Sequence, residues 1–125
     1  MDKKNIAVLG LLFVLAAGLL FWNFSKEKNI SQTPVNSDII LFYGEECPHC
    51  KDLEEFIKKN NIAEKVKFNY LEVWHNKSNS GIMMEKAQEC GFAKDQLGVP
   101  FLYAKGRCFI GGPEVEKFFK EEAGI

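Results

Sequence analysis

A chain of 125 residues leaves room for one domain of ordinary size and an appendage. Lys and Arg number 16 against 17 Asp and Glu, and the Lys residues are interleaved with Glu, so the basic footprint of a nucleic-acid-binding protein is absent. With 4 Cys, two of them at CxxC spacing, the composition points instead to redox or metal chemistry.

From Ile6 to Trp22 the chain runs IAVLGLLFVLAAGLLFW, without a charged or strongly polar side chain. With Asn23 and Phe24 it reaches about the twenty residues that a bilayer-spanning helix needs. Leu and Phe fall on all sides, which excludes a one-sided amphipathic helix. Residues 1–24 are therefore expected to form a transmembrane anchor, with Trp22 at the interface. A cleaved signal peptide is the competing reading. Ala16-Ala17-Gly18 supplies small residues for cleavage, but Leu19 to Trp22 carry the apolar run past them, and no lipoprotein cysteine follows. A buried core helix is the third reading, and it lacks a partner to enclose it. Lys3 and Lys4 precede the span, while Lys26 and Lys28 follow it with Glu27 between them. The positive-inside bias leans towards a cytoplasmic amino terminus, so the expectation is a single-pass membrane protein with an extracytoplasmic soluble domain.

Residues 25–37, SKEKNISQTPVNS, are polar and aperiodic and read as a tether. The domain is expected over 38–125. Ile39 to Tyr43 is a short continuous apolar run, as in a strand buried on both faces. Gly44-Glu45-Glu46 breaks it, and Cys50, Leu53, Phe56 and Ile57 then fall at helical spacing. Val66 to Val73 alternates as a second strand, followed by a polar loop over 74–80. Ile82 to Cys90 predicts a helix stopped by Gly91. Phe101 to Ala104 and Arg107 to Ile110 flank Lys105-Gly106, a hairpin signal. A last helix starts with Pro113 in its first turn and carries Val115, Phe118 and Phe119. The order β-α-β-α-β-β-α predicts an α/β fold, a small mixed sheet with helices on both faces, preceded by one transmembrane helix.

Cys47-Pro48-His49-Cys50 opens a predicted helix directly after a predicted strand. Dithiol exchange needs one sulfur able to attack as thiolate and a second placed to resolve the mixed disulfide. Cys47 falls where free N–H groups and the helix dipole favour a thiolate, and Cys50 falls on the core-facing stripe. Cys47 is therefore expected to attack from outside and Cys50 to resolve from beneath. His49 places a positive or hydrogen-bonding group near Cys47 and would make the disulfide more oxidising. Glu45 and Glu46 work in the opposite direction, because nearby carboxylates raise a thiol pKa. Two bland readings stand beside this one. The CxxC could be half of a zinc site completed from Cys90, Cys108, His49 or His75, although these form no second close pair. It could also be a purely structural disulfide.

FYGEECPHC, Phe42 to Cys50, resembles the strand-then-CxxC entry of the thioredoxin-like superfamily, and its Pro-His dipeptide is similar to that of DsbA-type oxidases. Gly98-Val99-Pro100-Phe101 resembles the family's cis-proline segment, and Gly111-Gly112 its glycine turn. The resemblance covers Asp38 to Ile125. It implies Cys47 as nucleophile, Cys50 as resolving thiol, His49 as tuner and Val99 with Pro100 as the substrate-contacting segment. The compact length, with no inserted helical domain, looks more like glutaredoxin than full DsbA. The expected activity is therefore thiol–disulfide exchange with protein thiols, with no cofactor and no resident metal. A glutaredoxin-like reductase, drawing on glutathione or a membrane redox partner, is the alternative enzyme. A metal-binding or chaperone module that uses CPHC as a clamp is the alternative of another class.

Cys90 and Cys108 read as buried free thiols, as a structural disulfide or as a second redox relay. His75 reads as a surface histidine.

Overall fold

The computed structural model describes residues 2–22 and 37–125, the first segment as backbone alone beyond residue 14. Helix α1 covers Lys3–Trp22. Among the described residues no helix is long and apolar enough to cross a membrane. The tether expected over 25–37 lies, apart from Ser37, outside the described residues.

Strand β1 (Ile39–Tyr43) is the centre of the domain. It pairs in parallel with β2 (Asn69–Glu72), Ile40 opposite Asn69 and Tyr43 opposite Glu72. Along its other edge it pairs antiparallel with β3 (Phe101–Ala104), Phe42 opposite Phe101. β3 turns back into β4 (Arg107–Ile110), which gives the four-stranded order β2-β1-β3-β4. The turn between them places Lys105 and Gly106 both at positive φ, 52° and 82°, the conformation that a two-residue hairpin requires. The apolar run of β1 is explained by this position. Side chains on both of its faces are covered, so alternation with polar residues would bury unpaired polar groups.

Helices α2 (Pro48–Lys59), α3 (Ile62–Lys65) and α5 (Gly112–Ala123) cover one face of the sheet, where Leu41, Leu53, Ile57, Ile62, Leu102, Val115 and Phe119 form the larger core cluster. Helix α4 (Lys77–Glu89) covers the other, over Phe42, Phe101, Val73, Met83 and Ala87. The expected layers are therefore present, with three local differences. The second strand is shorter than 66–73: pairing with β1 covers Asn69–Glu72, and Val66 serves as the C-cap of α3. α4 begins at Lys77, within the expected loop, because the Asn76 side chain caps it by accepting the N–H of Asn79 at 3.1 Å. A short 3-10 turn over Lys94–Gln96 precedes β3.

Phe119 is fully buried, with its ring 4.9 Å from that of Phe68 and 5.6 Å from that of Phe118. Phe119→Ala should lower the unfolding free energy by about 3–5 kcal/mol, read as a shift in the urea midpoint with the slope unchanged.

Candidate active site

Three segments meet at one end of the sheet: the turn leaving β1, the loop leaving β2 and the segment entering β3. The first turn is closed by the Gly44 carbonyl, which accepts the Cys47 N–H at 3.1 Å. Cys47 is the N-cap of α2, with extended backbone, and its Sγ accepts the Cys50 N–H at 3.3 Å. A helix N-terminus with an N–H aimed at the sulfur is a place that accommodates negative charge. From the other side the Cys47 thiol lies 3.7 Å from the Val99 carbonyl, to which it donates. The Val99–Pro100 peptide bond is cis, and Pro100 is buried. Cys47, Cys50, Val99 and Pro100 thus come together.

Cys47 is not the exposed partner that the sequence suggests. It is 4% exposed and Cys50 3%, and both are free thiols. The two sulfurs differ in surroundings rather than in accessibility. Burial pushes the Cys50 thiol up to about 12, and its contact with Cys47 adds to this against an opposing backbone hydrogen bond from Gly44. Below them Tyr70 is buried with its ring stacked on that of Tyr43, 3.9 Å between centroids, and burial holds its hydroxyl protonated. His49 is exposed in the first turn of α2, and among the described residues no hydrogen bond joins it to either cysteine.

The loop after β2 holds residues whose contribution sequence reasoning missed. The Glu72 carboxylate accepts the backbone N–H groups of Trp74, His75 and Asn76 at 2.7, 2.9 and 3.0 Å. Its small burial acts to raise the carboxyl, but these bonds outweigh that and hold it below the usual range. The loop so fixed lays Trp74 on Gly44: a Cβ at Gly44 would fall 2.3–2.8 Å from the indole, so only glycine fits there. Trp74 remains 52% exposed. His75 reaches back to Glu46, Nε2 to Oε1 2.7 Å, and the hydrogen bond and charge of Glu46 raise the imidazole above its ordinary value. His75 is a surface residue, as expected, but one paired with the residue preceding Cys47. Nothing in its polar surroundings signals a partner 29 positions away.

Cys90 and Cys108 are joined to each other, S–S 2.06 Å. Cys108 stands opposite Tyr103, three residues along β3 from Pro100 and so about 10 Å down the strand. The bond ties the end of α4 to β4, so the free-thiol reading does not describe it. Bonded to each other, these sulfurs cannot complete a zinc site with the CPHC pair. The one group among the described residues close enough to share an ion is Glu45, Glu46 and His75, which includes no cysteine.

No protein-family model matches the chain, and no curated protein matches it. Among solved structures it is similar to a thioredoxin-like protein, with 20% identity over 70% of this chain and 96% of that one and a TM-score of 0.51. It is similar to wheat glutaredoxin with 16% identity over 71% of this chain and 77% of that one, TM-score 0.50. A glutaredoxin from Archaeoglobus fulgidus shares 19% identity over 78% of this chain and 96% of that one at a TM-score of 0.47. The fold is thioredoxin-like. At these identities the likeness speaks for architecture, and the chemistry has to come from the site.

The raised Cys50 thiol has a direct readout. In Cys47→Ser, Cys50 should resist iodoacetamide at about pH 9, where the urea-unfolded chain reacts readily. The sign for the reduced protein follows from the raised value. The stability that the Cys50 proton lends the fold is whole below the ordinary thiol range and is lost as the pH climbs towards about 12. Mass spectrometry of the alkylated chain measures the first outcome.

Proposed function

We propose that the chain is a thiol–disulfide oxidoreductase acting on protein thiols and disulfides through Cys47 and Cys50. The observation that carries this reading is the placement of two free sulfurs at one helix start, one hydrogen-bonded to N–H and carbonyl groups at the surface-facing end of the sheet and the other held protonated. As reductant, the Cys47 thiolate attacks one sulfur of a substrate disulfide, forming a Cys47–substrate bond and expelling the other substrate sulfur as thiolate, which takes up a proton. Cys50 then loses its proton and attacks the Cys47 sulfur. The Cys47–Cys50 bond forms, the second substrate sulfur leaves, and two electrons have passed to the substrate. As oxidant the chain runs the same steps backwards.

Val99, beside the reacting sulfur, offers backbone to an extended substrate, and Pro100 keeps that segment in place. His49 serves as the electrostatic tuner from the helix start. Raised and buried, Cys50 favours resolution only once Cys47 is engaged, which suits protein disulfides held by a docked partner. Glutathione or a membrane redox partner is the expected source of recycling electrons. Serine variants separate the roles. Cys50→Ser should accumulate the mixed disulfide with substrate, visible as a mass adduct, while Cys47→Ser should lose exchange by more than about a hundredfold. Equal, undiminished exchange by both variants would sink the assignment.

We also propose that residues 1–24 anchor the domain to a membrane as a single pass, with the domain outside the cytoplasm. In α1 the side chains of Ile6, Val8, Leu9, Leu11, Leu12, Phe13 and Val14 are 55–82% exposed. Such a run in water calls for an apolar surrounding. The full chain should stay with the membrane fraction after alkaline carbonate washing, and release into the wash would remove the anchor.

A further inference from the structure

Outside α1, the large apolar side chains exposed among the described residues are Trp74 and the last residue, Ile125. Trp74 sits beside the nucleophile. Its ring lies on Gly44, whose carbonyl holds the Cys47 N–H, and the Val73 N–H is tied to the Tyr43 carbonyl at 2.9 Å. The β2 side of the Cys47 turn is thus walled by a fixed indole, and the β3 side by Val99 and Pro100. An exposed tryptophan in a loop held by three backbone hydrogen bonds to Glu72, one of them its own, loses little freedom on binding, and such side chains are frequent anchors of interfaces.

The charge beside this ring is specific in sign. Glu45 and Glu46 are exposed in the turn between Gly44 and Cys47, with His75 as the cation paired to Glu46. Three carboxylates, Glu46, Glu72 and Glu45, therefore act on one imidazole, and Glu45 makes no ion pair among the described residues. The exposed indole lies on Gly44, the residue before Glu45 in the turn, and a ring and an acid so placed suit a Lys or Arg, whose alkyl stem covers the ring while its charged head meets the carboxylate. From these observations we infer that Trp74 and Glu45 determine specificity, selecting peptide cysteines flanked by a Lys or Arg. The inference rests on the oxidoreductase reading above and adds the substrate class to it.

The test uses the reduced full-length chain in nonionic detergent. Its probes are peptides of one sequence with Lys, Ala or Glu beside the cysteine, each presented as the mixed disulfide with neutral 2-hydroxyethanethiol. Every rate is divided by that variant's own rate with bis(2-hydroxyethyl) disulfide, which carries no charge. The Lys peptide should outrun the Glu peptide by roughly threefold to tenfold, and the ratio should shrink in concentrated salt. Glu45→Gln should lower that ratio, and so should Trp74→Leu, which keeps apolar cover on Gly44 but removes the π face. A ratio near one in the unaltered chain, or one that both variants leave intact, would overturn the inference while leaving the oxidoreductase reading standing. No exchange with bis(2-hydroxyethyl) disulfide would instead remove that reading, and the substrate class with it.

Discussion

Strand β1 is paired along both edges and covered on both faces, and the geometry of the site is a consequence of that burial. A strand so enclosed cannot continue past Tyr43 without leaving the core, and Gly44 is the residue at which it does. The turn that follows brings Cys47 to the start of α2 while α2 packs Leu53 and Ile57 onto the sheet. The sulfur is thus fixed in position by the core and not by contacts at the surface. Because β2 runs parallel to β1, its end emerges at the same edge, and because β3 runs antiparallel, its beginning does too. The three segments around Cys47 are neighbours through strand direction.

Burial also sets the division of labour between the two sulfurs. Both are nearly inaccessible, so exposure cannot tell them apart. What distinguishes them is the supply of polar groups. Cys47 has a backbone N–H on one side and a carbonyl on the other, whereas the Cys50 sulfur sits in surroundings that penalise charge. A substrate that displaces water from the Cys47 turn would strengthen these contacts further, because hydrogen bonds gain in a less polar surrounding.

Much of this was legible in the residues. The unbroken apolar run of β1, the CxxC at a strand-to-helix junction and the Lys105-Gly106 turn each carry a local physical signal, and each element formed where that signal lies. What was hidden depends on contacts between distant parts of the chain. The polar stretch Lys77 to Ser80 has no apolar period and reads as loop, yet a single cap from Asn76 is enough to start α4 there. The packing of Trp74 on Gly44 and the pairing of His75 with Glu46 join segments about thirty positions apart, and no spacing rule in one sequence reports such meetings. The burial of Cys47 was likewise concealed, since the Val99 segment that meets it enters from the far part of the chain.

Under the proposed exchange by Cys47 and Cys50, the bond between Cys90 and Cys108 lies out of the reacting pair's reach within one copy. Attack requires the incoming sulfur to reach its target, and within one copy the reacting thiol and this crosslink stand at different heights on the same sheet, separated by the rigid length of β3. Within one copy the fold thus keeps the crosslink away from Cys47 and Cys50.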